Sequence, residues 1–154
     1  MKNKPKILIL DIETSPLLSY CWALFDQNVA LNQIKQDWFI LSFAAKWLGD
    51  PPSKTMYMDQ RSNKNVEDDS KLLKSVWKLI DEADVLLTQN GKRFDAKKLN
   101  ARFILNGLTP PSSYQHIDTL QIAKKNFAFT IRVLNGAVSI NDSENRQQGN
   151  HDKH

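Results

Sequence analysis

The stretch ILILDIETSP, residues 7–16, constrains the fold more than any other part of the chain. Its apolar run has the length and β-rich content of a buried strand, and it drives directly into Asp11, Ile12, Glu13 and Thr14 before Pro16 ends it. Side chains alternate across a strand, so Asp11 and Glu13 face the same side. Two carboxylates held that close repel and raise each other's affinity for protons. A solvated strand end tolerates such a pair. A divalent cation removes the repulsion, and hard oxygen ligands suit Mg²⁺ or Mn²⁺. On this segment alone both readings stand.

The rest of the chain supplies elements for an α/β fold. Strands are expected at KILILD (6–11), SYCWALF (19–25) and WFILSFAAKWL (38–48), with an edge strand at KTMYMDQ (54–60) after the turn signal GDPPS. NVEDDSKLLKSVWKLIDEAD (65–84) is the clearest helix: Leu72, Leu73, Val76, Trp77, Leu79, Ile80 and Ala83 recur at helical spacing, with acidic residues crowding its first turn. DVLLTQN (84–90) reads as a strand and DAKKLNARFILNGL (95–108) as a helix stopped at Gly107. A short strand ending near Asp118 follows, then the start of another helix. Strands and helices in this order make a mixed sheet with flanking helices.

The single cysteine, Cys21, leaves no internal disulfide framework, so a reducing, cytoplasmic setting is expected. No apolar run approaches the ~20 residues that cross a bilayer, and no membrane partner is expected. A net charge of +4 is compatible with a polyanionic partner. The four tryptophans, Trp22, Trp38, Trp47 and Trp77, fall in strand and helix contexts that favour core or half-buried positions over base stacking. Lys92, Arg93, Lys97, Lys98 and Arg102 cluster in the stretch 92–102, where contact with a nucleic-acid backbone and a solvated helix face both remain open, the second slightly favoured for Lys97, Lys98 and Arg102.

A second cluster of chemistry lies in TQNGKRFDAKKL (88–99). Asn90-Gly91 is a tight-turn signal, and Asp95 is placed to cap the following helix. A cap at that position also lies where α/β folds bind ligands, beyond the carboxyl ends of the strands.

Taken with DIET, NGKRFD (90–95) and HIDTLQIAKK (116–125), the chain resembles the DEDD-type 3′–5′ exonucleases, the DnaQ-like branch of the ribonuclease H-like superfamily, over residues 6–129. The resemblance implies hydrolysis of a nucleic-acid phosphodiester with two ions of Mg²⁺ or Mn²⁺. Asp11 would bridge both ions, Glu13 would bind the one that activates water, and Asp95 would serve the other. By the same carry-over Thr14 and Asn90 would position a single-stranded 3′ end, with Phe94 supporting the loop.

The family's third motif, a Tyr or His a few residues before a fourth Asp, is not found after residue 125. Tyr114 lies too early, His116 reads as structural, and His151 and Asp152 sit in a stretch without an apolar face. The expected organisation is therefore an incomplete exonuclease-like domain over 1–129, lacking its last helix, and a disordered polar tail over 130–154. Premature termination or a shifted reading frame near residues 129–131 would explain the break. Three readings follow. The chain is a metal-dependent exonuclease, a catalytically silent nucleic-acid-binding module, or an interaction subunit whose missing helix comes from a second chain.

Overall fold

The computed structural model describes residues 4–25, 28–61 and 63–128. Its first strand, β1 (Ile7–Thr14), alternates as the sequence requires: Leu8, Leu10 and Ile12 are buried, while Asp11 and Glu13 are exposed on the opposite face. The strand is central. In chain order come β2 (Leu18–Ser19), β3 (Ile34–Gln36), β4 (Ile40–Trp47), β5 (Met56–Asp59), α1 (Ser70–Asp81), β6 (Val85–Thr88), α2 (Asp95–Leu105), β7 (Gln115–Asp118) and α3 (Thr119–Asn126). The main sheet has the order β5-β4-β1-β6-β7, and β2 and β3 pair in a separate two-stranded ribbon. β4 runs antiparallel to both β1 and β5, whereas β6 runs parallel to β1 and to β7. The expected mixed sheet with helices is what forms.

Leu8, Leu10 and Ile12 enter one apolar core with Leu72, Leu73, Val76 and Ile80 of α1 and Leu99 and Phe103 of α2. Both helices thus cover one face of β1, the face away from Asp11 and Glu13. A buried ion pair stands behind this packing. Asp69, fully buried, accepts two hydrogen bonds from Arg102, one of them at 2.6 Å, and a third from the Ile40 N–H at 2.9 Å.

That pair corrects two expectations. Arg102 is not part of a solvated face, because its side chain is only 15% exposed and its charge is spent on Asp69. Helix α1 begins at Ser70 and not near residue 65, because Asp69 sits at its cap position with its carboxylate turned to Ile40 and Arg102, so its first turn carries no acidic residue.

The strand expected at 19–25 is also corrected. The strand there is only Leu18–Ser19, and it joins the ribbon and not the main sheet. Trp22 consequently stands 95% exposed, against the expectation of a core or half-buried ring, while Trp38, Trp47 and Trp77 pack half-buried against the core.

The chain divides into two compact units, Met1–Asp118 and Thr119–His154. The first holds both sheets with α1 and α2. In the second, the described residues form α3. The tail expected over 130–154, and with it the expected lack of a last helix, lies outside the described residues. Among the described residues no helix is long and apolar enough to cross a membrane.

Candidate functional site

The site begins with a gap in the sheet. β1 pairs with β6 from Ile7 to Ile9, opposite Val85 to Leu87, and among the described residues its carboxyl half has no strand on that side. The Lys6 carbonyl accepts from the Asp84 and Val85 N–H groups, so even-numbered backbone groups of β1 face β6. Ile12 N–H therefore points into the gap. It is met there by Asp95, whose Oδ1 accepts it at 3.0 Å. A side chain from 83 positions further on takes the place of the absent strand, at the residue between Asp11 and Glu13.

Asp95 was expected to cap α2 and does not. Phe94 occupies the cap position without a side-chain hydrogen bond, and Asp95 is the first helical residue, 2% exposed, with its carboxylate turned to β1.

What holds Asp95 there is the turn before it. Asn90 has φ of 62°, a backbone that few residues other than glycine adopt readily. The Asn90 and Lys92 N–H groups donate to the two oxygens of Asp118 at 2.9 and 3.2 Å. Gly91 lies so close to β6 that a Cβ would fall 2.2 Å from Thr88 Oγ1. The Gly91 carbonyl then accepts the Ala96 N–H at 2.8 Å and opens the helix. Asp118, 2% exposed at the end of β7, is thus an anchor for the whole segment. The signal for it in the sequence is the Asp-Thr step within HIDTLQIAKK.

Burial pushes Asp95 up to about 6, with the charges of Asp11 and Asp118 adding to the rise and its hydrogen bonds, including that from Ile12, opposing it. Burial also raises Asp11 above the ordinary carboxylate value. Asp95 forms no ion pair among the described residues that would offset this. The chemistry of this donor set fits one hard divalent cation between Asp11 and Asp95, which would remove the repulsion. Glu13 shares the face of Asp11, but among the described residues no three His, Cys, Asp or Glu side chains close into a group that could hold a metal ion.

On the exposed face Asp11 and Glu13 line a cleft of about 470 Å³ with Ser42, Ala44, Tyr57 and Arg61. The register explains the lining. Asp11 lies opposite Ala44, which lies opposite Tyr57, and Glu13 lies opposite Ser42. The register slips after Glu13, so that Thr14 pairs with Ile40 and Leu41 is left over. Such bulges re-aim side chains at the ends of strands. Arg61 is bound by Asp59 and Tyr57, and these three residues had no signal in the sequence.

Of the remaining expected residues, Thr14 is half-buried at the end of β1, Asn90 forms the turn, and Phe94 is exposed beside Asp95. His116 Nε2 lies 2.8 Å from Thr88 Oγ1 and its ring meets Tyr114 edge-on, in keeping with a structural role. Lys98, expected to be solvated, instead lies with its Nζ 3.6 Å from the centre of the Trp38 ring.

A family model described as the RNase H superfamily matches residues 8–144. No curated protein sequence matches the chain. Among solved structures, the family B DNA polymerase from the hyperthermophilic archaeon Pyrobaculum calidifontis is similar, with a TM-score of 0.56 at 13% sequence identity. The similarity covers 80% of this chain and 16% of the polymerase chain, and at that identity it is a likeness of fold.

Proposed function

The chain belongs to the RNase H superfamily, and on that premise we propose that it is a DEDD-type, DnaQ-like 3′–5′ exonuclease acting on single-stranded nucleic acid. The observation that carries the reading is the seating of Asp95 on the Ile12 N–H, between Asp11 and Glu13 in the strand. Asp95, distant in sequence, is drawn to the strand that bears Asp11 and Glu13, against the cost of burying its carboxylate near the charges of Asp11 and Asp118.

Asp11, Glu13 and Asp95 are the residues that would hold Mg²⁺ or Mn²⁺, which when bound neutralises the phosphodiester and stabilises the charge that develops on its oxygens. The chain's own part is positioning. Asp95 is fixed by Ile12 and by the turn that Asp118 anchors, so its carboxylate needs little reorganisation to act. Thr14, the last residue of β1, and Asn90, in the turn before α2, are assigned to the 3′-terminal nucleotide, with Phe94 supporting that turn.

The test is digestion of a 3′-labelled single-stranded oligonucleotide by the purified chain with Mg²⁺ or Mn²⁺. The expected result is release of the terminal nucleotide, abolished by chelation and by Asp11→Ala. Cleavage that survives Asp11→Ala belongs to a contaminant and overturns the proposal. Binding without cleavage by the wild-type chain replaces it with the reading of a silent nucleic-acid-binding module.

A further inference from the structure

We propose that Lys98, laid on Trp38, is a phosphate contact for the strand that occupies the carboxylate site, an inference that rests on the nucleic-acid reading above. Lys98 follows Asp95 by three positions in α2, so the two side chains leave the helix on neighbouring parts of one surface. Asp95 meets β1 at Ile12. Trp38 precedes Phe39, whose N–H donates to Ser15 Oγ at 2.9 Å and whose carbonyl accepts the Ser15 N–H at 2.9 Å, just past the end of β1. The Lys98 and Trp38 pair therefore sits beside the carboxyl end of the strand that bears Asp11 and Glu13.

The ammonium is positioned but not neutralised. Its Nζ stands 3.6 Å from the centre of the Trp38 ring and 5.9 Å from that of Phe94. Among the described residues it makes no ion pair. Among the described residues Asp37 is the acidic neighbour whose charge reaches it, and that carboxylate is engaged by the Trp38 N–H at 2.8 Å. A cation fixed on a ring face loses less freedom on meeting a phosphate than a solvated lysine does. Its half-buried place on Trp38 separates it from Lys97, its exposed neighbour in the helix.

A strand whose reacting phosphodiester lies at Asp11 and Asp95 must carry its other phosphates over adjoining surface, against the field of three carboxylates. Lys98 supplies the opposite charge there. The exposed face of Phe94 offers aromatic surface for an unstacked base, which a duplex end does not present. The ligand class is thus a single-stranded polynucleotide, recognised through its backbone.

Binding of a labelled single-stranded oligonucleotide in a chelator, followed by anisotropy over a range of salt, tests this without any reaction. Lys98→Met keeps the apolar stem over Trp38 and removes the charge. It is expected to weaken binding and to reduce the slope of log affinity on log salt by about 0.7, one phosphate of a single strand. Between about 50 and 200 mM salt the ratio of the two affinities then shrinks about threefold. Lys98→Arg is expected to keep the slope, and Lys97→Met to change it less than Lys98→Met does. An unchanged slope in Lys98→Met, an equal loss in Lys97→Met, or no binding by the wild-type chain overturns the inference. Metal-dependent cleavage together with an unchanged slope sinks this contact and leaves the nuclease standing. A reduced slope without cleavage does the reverse.

Discussion

Asp95→Asn is expected to stabilise the chain in the absence of metal, although it removes a residue assigned to the reaction. The buried carboxyl is pushed from 3.8 to about 6. A folded-state value above the unfolded one means that the folded chain binds the proton more tightly. Ionising Asp95 therefore costs stability, and the cost grows as pH rises from about 4 to about 6. A shift of that size corresponds to about 2–3 kcal/mol at pH 7. Asparagine keeps an oxygen for the Ile12 N–H and places an amide N–H₂ where the charges of Asp11 and Asp118 bear on Asp95. For a chain of this size the gain amounts to roughly 5–10 °C in melting temperature. Thermal unfolding of both proteins in a chelator, at neutral pH and again near pH 4, measures it. The expected outcome is a more stable variant at neutral pH and near-equal proteins in acid. A variant that melts at or below the wild type at neutral pH refutes the claim that Asp95 is held ionised against its surroundings.

Two further substitutions probe what holds the site. Gly91→Ala would set a Cβ 2.2 Å from Thr88 Oγ1, and Thr88 is fixed opposite Asp118 in the sheet, so the turn must move. A stability loss of about 1–3 kcal/mol by denaturant unfolding is expected, together with a fall in cleavage as Asp95 is displaced. Arg102→Ala leaves Asp69 buried and charged without its partner, which costs about 3–5 kcal/mol.

The sequence carried the sheet and its helices because alternation in β1 and the apolar spacing of α1 are local signals. Leu8, Leu10 and Ile12 alternate with their neighbours, and Leu72, Leu73, Val76 and Ile80 recur at helical spacing, whatever the rest of the chain does. Asp11, Glu13 and Asp95 were legible as motif, but the reason Asp95 reaches β1 was not. It depends on β6 pairing with β1 only as far as Ile9, a tertiary fact that leaves Ile12 N–H to be satisfied by Asp95. Arg102 and Lys98 were misjudged for a related reason. Helical periodicity shows which face a charge occupies but not that Asp69 or Trp38 waits opposite. The segment 19–25 looked like a strand on composition alone, and only Ser19 of it is strand, in the ribbon formed by β2 and β3.

The most direct measurement is titration of Mn²⁺ into the wild-type chain, Asp11→Ala and Asp95→Asn, followed by electron paramagnetic resonance of the free ion. The expected result is saturable binding by the wild type that weakens in both variants, since each removes one of two carboxylates facing the same cation. Equal binding by all three would contradict the shared site and leave an RNase H-like fold without the chemistry assigned to it.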